Sequence, residues 1–276
     1  MSALIARCRS LVIVSVATSL MGCATVGQIN LVSEPEELAM GDAFAGELEK
    51  ELRFITDPTV VGYIEALGQS LARVSQRSNI TYRFHVVDTD EVNAFAVPGG
   101  YLYVNRGLIE AADTEAELAG VLGHEIGHVV GKHSARQMTQ QLGISAIAGM
   151  LLGQDPGMLA QLTTQIVATG AITSYSRDME SEADTYGVQE LYDAGIDPNG
   201  LATFFRKLED MRGGQGGGTL EQFFSTHPDP GARAEAVLNQ IASLPPKSGL
   251  RKDSAAFREA KARVLALPRP PSAPGQ

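Results

Sequence analysis

Residues 114–132 read TEAELAGVLGHEIGHVVGK. Thr114 followed three residues later by Glu117 is a capping box, which predicts a helix from about Thr114 to Lys132. Leu118, Val121, Leu122 and Val129 give that helix the apolar surroundings of a buried element. His124 and His128 are four residues apart and share one helix face. Both imidazoles can therefore reach a single zinc ion at about 2.0–2.1 Å. Glu125 lies one residue round, beside that face. There it can take a proton from a water at the metal and pass it to a leaving amine.

A catalytic zinc needs a third protein ligand and one open position. One continuation, HExxHxxGxxH, has its glycine at Gly131, but the third histidine would fall on Ser134, and His133 is one residue out of register. The other source is the run SRDMESEAD at 176–184. Glu180 and Asp184 are i and i+4 on one helix face, so one can bind zinc while the other accepts the free N–H of a ligand histidine. Glu182 points about 200° away from Glu180 and ranks below them.

The remaining composition narrows the class. The chain has 276 residues, 44% of them hydrophobic, with 22 Lys+Arg against 32 Asp+Glu and a formal charge of −10. That acidity excludes a nucleic-acid binder, which needs a basic face. The two cysteines, Cys8 and Cys23, sit at the extreme N-terminus, so a cysteine-ligated metal site in the body is excluded. Arg7 and Arg9 precede a mostly apolar region of ten residues, Leu11 to Leu20, too short to cross a bilayer and patterned as an export signal. Leu20-Met21-Gly22-Cys23 resembles a bacterial lipobox, which makes residues 1–22 a signal peptide and Cys23 the lipidated N-terminus. By resemblance to the bacterial lipoprotein sorting rule, Ala24 after it implies the outer membrane. Removing residues 1–22 takes away two arginines and no acid, leaving 20 basic against 32 acidic residues and a net charge of −12. Such a body relies on lipid for membrane attachment.

Along the chain, residues 24–33 read as a short tether. Ser33 with Pro35 opens a helix to about Arg53, and Asp57-Pro58 opens a second. Thr81 to Asp88 and Tyr101 to Asn105 are strand candidates, with a Pro98-Gly99-Gly100 turn before the latter. Residues 137–175 carry only Asp155 as a charge and read as two helices covering the site. Helices are expected from about Ser176 to Ala194, from Asp197-Pro198 onward, and from Asp229-Pro230 to about Ser243. GGQGGG at 213–218 reads as a flexible loop, and PRPPSAPGQ at 268–276 as disordered. The fold class expected is α+β, predominantly helical, with a small antiparallel or mixed sheet.

HEIGH followed about fifty residues later by SRDMESEAD resembles the BepA/HtpX-like gluzincin peptidases (metallopeptidase family 48). VNAFAVPGGYLYVNRGLI at 92–109 and FFSTHPDPGAR at 223–233 are similar to that family too, and the resemblance covers roughly residues 35–245. It implies a zincin-like domain holding one zinc per chain on His124, His128 and Glu180. Glu125 is then the general base and Asp184 the outer partner of a ligand histidine. It implies that Asn93, Ala94, Phe95, Ala96, Gly99 and Gly100 belong to an edge strand beside which an extended peptide adds. His227 and Arg233 match a histidine that approaches the metal or the oxyanion and its companion. His227 follows the glycine loop, so it can gate the zinc by filling its open position. His85 and His133 are expected to be structural or solvated.

The domain organisation expected is a signal peptide at 1–22, a lipidated tether at 23–34, a metallopeptidase domain at 35–245, and a C-terminal helical stretch with a Pro-rich tail at 246–276. The function expected is a zinc endopeptidase of the bacterial envelope, held by lipid at the outer membrane and facing the periplasm. Its substrates would be unfolded or misassembled proteins. The rival is a chaperone-like assembly factor with a closed or non-catalytic zinc site.

Overall fold

The computed structural model describes residues 30, 32–171, 174–212 and 217–269. The export signal and Cys23, most of the glycine loop, and the tail from residue 270 lie outside the described residues.

Helix α1, Glu34–Glu51, begins in a complete capping box: Ser33 Oγ accepts from the Glu36 N–H, and the Glu36 carboxylate accepts from the Ser33 N–H at 2.8 Å. Helix α2, Pro58–Ala72, is capped by Asp57. Three short strands follow, β1 Arg83–Val87, β2 Ala94–Val97 and β3 Tyr101–Asn105. They form a mixed sheet in the order β1-β3-β2, with β3 parallel to β1 and antiparallel to β2. The β2–β3 connection runs through Pro98–Gly100, where Gly99 and Gly100 take φ of 81° and 89°. Only glycine enters that region without steric cost. Gly41 of α1 lies directly on this turn, since a Cβ there would meet the Pro98 carbonyl oxygen at 2.3 Å.

The rest is helical: α3 Arg106–Ala111, α4 Glu115–Val130, α5 His133–Leu151, α6 Pro156–Thr169, α7 Arg177–Asp193, α8 Asn199–Arg212, α9 Glu221–Thr226, α10 Pro230–Ser243 and α11 Ala255–Ala266. Residues 217–220, expected within or beside a flexible loop, form a short 3-10 turn.

The sheet is buried on both faces, and successive side chains divide between two cores as the pleat demands. Phe84, Val86, Ala94, Ala96, Leu102 and Val104 join α2, α4 and α8 in one core. Val87, Phe95, Val97, Tyr101 and Tyr103 join α1, α5 and α6 in the other. The charge-poor α5–α6 hairpin thus packs chiefly against the face of the sheet opposite α4, starting earlier than expected and bending at Gly143 (φ 75°). Helix α11 buries Phe257 and Val264 in the α2–α4 core, and Arg106 ties its end down by donating to the carbonyls of Val264, Leu267 and Pro268 at 3.0–3.3 Å. Among the described residues no helix is long and apolar enough to cross a membrane.

Candidate metal centre

Helices α4 and α7 meet main chain to main chain. A Cβ on Gly127 would sit 2.5 Å from the Ala183 carbonyl oxygen, one on Gly123 would sit 3.3 Å from Gly187 Cα, and one on Gly187 would sit 2.9 Å from the His124 nitrogen. Gly127 and Gly187 therefore permit an approach that a side chain would block, and Gly123 leaves little room beside them. The His124–His128 face of α4 is thereby set against the Glu180–Asp184 face of α7.

The facing groups converge on a point. His124 Nε2 lies 3.0 Å from His128 Nε2 and 3.6 Å from Glu180 Oε2, and His128 Nε2 lies 3.4 Å from Glu180 Oε1. His227, at the C-terminal end of α9, places Nδ1 3.2 Å from His124 Nε2 and 3.1 Å from Glu180 Oε1. All four ligand atoms lie within 4.8 Å of one another, and all four residues are buried. Donors held about 2.0–2.1 Å from a tetrahedral cation stand about 3.3 Å apart, so the set fits a metal ion.

Each histidine is held from behind. His124 Nδ1 donates to Asp184 Oδ1 at 2.9 Å. Arg233 grips both oxygens of Asp184, contacts Glu180 Oε2 through Nη1, and stacks 4.3 Å over the Phe205 ring. On the other side, His128 Nδ1 lies 2.8 Å from His133 Nδ1, and the Tyr175 ring stacks on His128 at 3.9 Å. Ser134 Oγ reaches the Tyr175 hydroxyl at 3.0 Å.

Glu125 is 1% exposed, and neither of its oxygens has a hydrogen-bond partner among the described residues. Burial raises its carboxyl above the ordinary range, against the pull of His227 and His124. Glu180 behaves oppositely: burial would raise it, but His227, Arg233 and His128 together hold it well below that range. One environment thus pushes two neighbouring carboxyls in opposite directions.

The site residues read from the sequence fall into two groups. His124, Glu125, His128, Glu180, Asp184, His227 and Arg233 lie together. Ala94, Phe95 and Ala96 form the β2 edge strand, Asn93 directly precedes it, and Gly99 and Gly100 lie in the turn beyond it. Asn93 donates to Gln222 Oε1 of α9 at 3.2 Å, and Asn105 donates to the same oxygen at 3.3 Å. A cleft of about 680 Å³ opens between Phe95, Asn105, the end of α6 and the Gln222 side of α9. It stops short of the ligand cluster. His133, expected to be structural or solvated, is fully buried against a histidine of the cluster, and Glu182 is its second partner. Neither contact was readable from spacing alone, because a turn between two helices creates it. His85 stacks on Tyr103 in the β-sheet, away from the cluster.

Comparison with known proteins agrees with this arrangement. The model of peptidase family M48 matches residues 58–241. The chain is 31% identical over 241 residues to the beta-barrel assembly-enhancing protease of Escherichia coli (strain K12), covering 84% of this chain and 49% of that protein. It is 35% identical over 185 residues to the metalloprotease YcaL of the same organism, covering 64% of this chain and 70% of that protein. It is 32% identical over 180 residues to the mitochondrial metalloendopeptidase OMA1 of Schizosaccharomyces pombe, covering 65% of this chain and 52% of that protein. The chain spans about half the length of the first of these relatives. A match over two thirds of the chain, around a buried His-His-Glu cluster, places the chain in peptidase family M48 as a metalloendopeptidase domain.

Proposed function

We propose that this chain is a zinc-dependent endopeptidase acting on unfolded or misassembled proteins of the bacterial envelope. The observation that carries the reading is Glu125, a buried carboxyl with no hydrogen-bond partner among the described residues, beside a cluster of metal-ligand type. A structural metal site has no use for such a group.

Two imidazoles and one carboxylate are the donor set of catalytic zinc sites. His124, His128 and Glu180 would hold the ion, with Asp184 and Arg233 positioning His124. Bound there, zinc supplies Lewis acidity that polarises a peptide carbonyl and acidifies water. Glu125 takes the proton of the attacking water and delivers it to the amine as the peptide bond breaks. His227 stands at the fourth corner of the cluster, so it must swing aside for a substrate carbonyl to enter. An extended segment would add beside β2 at Asn93–Gly100, reading backbone more than side chains, which suits a protease of misassembled chains. The name of the first relative, an enhancer of beta-barrel assembly, points to envelope clients. Lipidation at Cys23 would hold the enzyme at the outer membrane, facing the periplasm.

The test is Glu125→Gln in the purified protein loaded with zinc. The variant should keep its zinc and lose casein cleavage by about 10²–10⁴-fold. Unchanged cleavage overturns the mechanism. A wild-type protein that binds zinc yet cuts neither casein nor any envelope protein favours the chaperone-like reading, which His227 at the fourth corner would explain. A trapped-substrate pull-down with the same variant names the clients.

A further inference from the structure

His124 is held by a carboxylate, Asp184, in the manner expected of a metal-ligating histidine. His128 has no carboxylate behind it. Its Nδ1 instead meets a second imidazole nitrogen, His133 Nδ1, at 2.8 Å. Two such nitrogens hold exactly one hydrogen between them, so one must donate and the other accept.

The far side of His133 decides which. Its Nε2 lies 3.2 Å from Glu182 Oε2, and an ionised carboxylate only accepts. Glu182 is itself fixed by Arg136, whose Nη1 donates to Oε2 at 3.0 Å, and by the Tyr186 hydroxyl, which donates to Oε1 at 3.3 Å. The hydrogen of neutral His133 therefore sits on Nε2, its Nδ1 carries a lone pair, and His128 donates from Nδ1. That leaves the lone pair of His128 Nε2 facing the ligand cluster, as metal binding requires.

The backbone is shaped for this contact. Helix α4 ends at Val130, Lys132 adopts a left-handed conformation (φ 53°), and α5 begins at His133, which folds the imidazole back beneath His128. A side chain at Gly131 would collide with that ring, since a Cβ there would sit 2.2 Å from His133 Nε2. A non-glycine residue held at positive φ beside a glycine that clears room for one ring marks a constrained arrangement.

We infer that His133 and Glu182 are positioning residues for the metal: Glu182 fixes the tautomer of His133, and His133 accepts the His128 Nδ1 proton so that His128 Nε2 is presented to the ion. This rests on the reading of His128 as a metal ligand.

The experiment measures zinc affinity by chelator competition, independent of any cleavage, on the full chain and three variants. His133→Phe keeps a ring and removes the acceptor, and should weaken zinc binding about 10–100-fold. His133→Asn carries an acceptor oxygen near the position of Nδ1 and should recover most of that loss. Glu182→Ala, at a half-exposed position that tolerates truncation, should weaken binding in the same direction by a smaller factor. Melting curves of the zinc-free proteins separate affinity from folding. Wild-type affinity in His133→Phe, or equal losses in the Phe and Asn variants, overturns the acceptor role. Should His133→Phe fail to fold, wild-type affinity in Glu182→Ala overturns the pair by itself. A wild-type chain that binds no zinc overturns the ligand reading beneath it, whereas loss of affinity without change in the Glu125→Gln result leaves the two readings separately judged.

Discussion

Arg233 closes on both oxygens of Asp184, with Nε 2.8 Å from Oδ2 and Nη2 2.6 Å from Oδ1. Asp184 Oδ1 also accepts the His124 Nδ1–H at 2.9 Å. An Arg on α10 thereby reaches a ligand on α4 through a carboxylate on α7, and its planar fork matches both oxygens at once. A lysine cannot reproduce that fork. Arg233→Lys should lower zinc affinity by about 10–100-fold in chelator competition. Arg233→Ala, which strands a buried carboxylate, should in addition lose about 3–5 kcal/mol of stability in denaturant unfolding.

His227 supplies the fourth donor of the cluster, with Nδ1 3.1 Å from Glu180 Oε1 and Nε2 3.6 Å from Glu125 Oε1. A zinc-chelating hydroxamate must displace it. If the closed arrangement dominates at 90–99%, removing the imidazole raises apparent inhibitor affinity by about 10–100-fold. His227→Ala should therefore bind hydroxamate more tightly by calorimetry. Unchanged affinity removes His227 from the gate.

Gly127 tests how closely α4 and α7 must approach. A methyl at that position has to push the Ala183 carbonyl away, and Glu180 moves with α7. Gly127→Ala should cost about 1–3 kcal/mol of stability by overpacking, despite the better helix propensity of alanine. It should also weaken zinc binding. Melting and chelator competition on one sample measure both.

Glu190, on α7, is buried with neither oxygen hydrogen-bonded among the described residues, and desolvation holds its carboxyl well above the ordinary range. Its folded pKa exceeds its unfolded one, so it costs nothing in ionisation below the ordinary carboxylate range. The penalty grows as pH rises from there toward the folded pKa. Glu190→Met, similar in length and apolar, should stabilise the protein at pH 7 by about 1–3 kcal/mol. The gain should shrink as pH is lowered toward 4.5. Melting temperatures across that range decide it, and a gain that grows on acidification contradicts the assignment.

The parts of this molecule legible in its sequence are those set by local periodicity and caps. Ser33, Asp57, Thr114, Asp155 and Ser176 each cap a helix through their own side chains. The i, i+4 pairs His124–His128 and Glu180–Asp184 follow from helix geometry alone. Even there a detail changed: Thr114 accepts from the Glu117 N–H, but the Glu117 carboxylate accepts from the Asp113 N–H at 2.7 Å, so the predicted box is half formed. Strand β2 was visible only through motif resemblance, because Ala94–Val97 is buried on both faces and shows no alternation of polarity. Helix α3 is six residues long and begins with a buried arginine, a pattern that periodicity does not flag. The contacts of Glu182 with His133 and Arg136 are not readable from spacing because both partners come from α5, while Tyr186 of its own helix holds the other oxygen. Contacts across turns need the backbone, and Lys132 at positive φ is not announced by its residue type.

The crossing of α4 and α7 also sets where this fold can and cannot be re-engineered. Elsewhere in the core a larger residue can be traded against a smaller neighbour, and volume is conserved. Where Gly127 meets Ala183 and Gly123 meets Gly187, main chain faces main chain, and there is no neighbour to shrink. A saturation-mutagenesis map would accordingly be least tolerant at Gly127 and Gly187. The cleft between Phe95 and Gln222 lies off that crossing, so its walls are set by side chains that can be exchanged without moving α4 against α7.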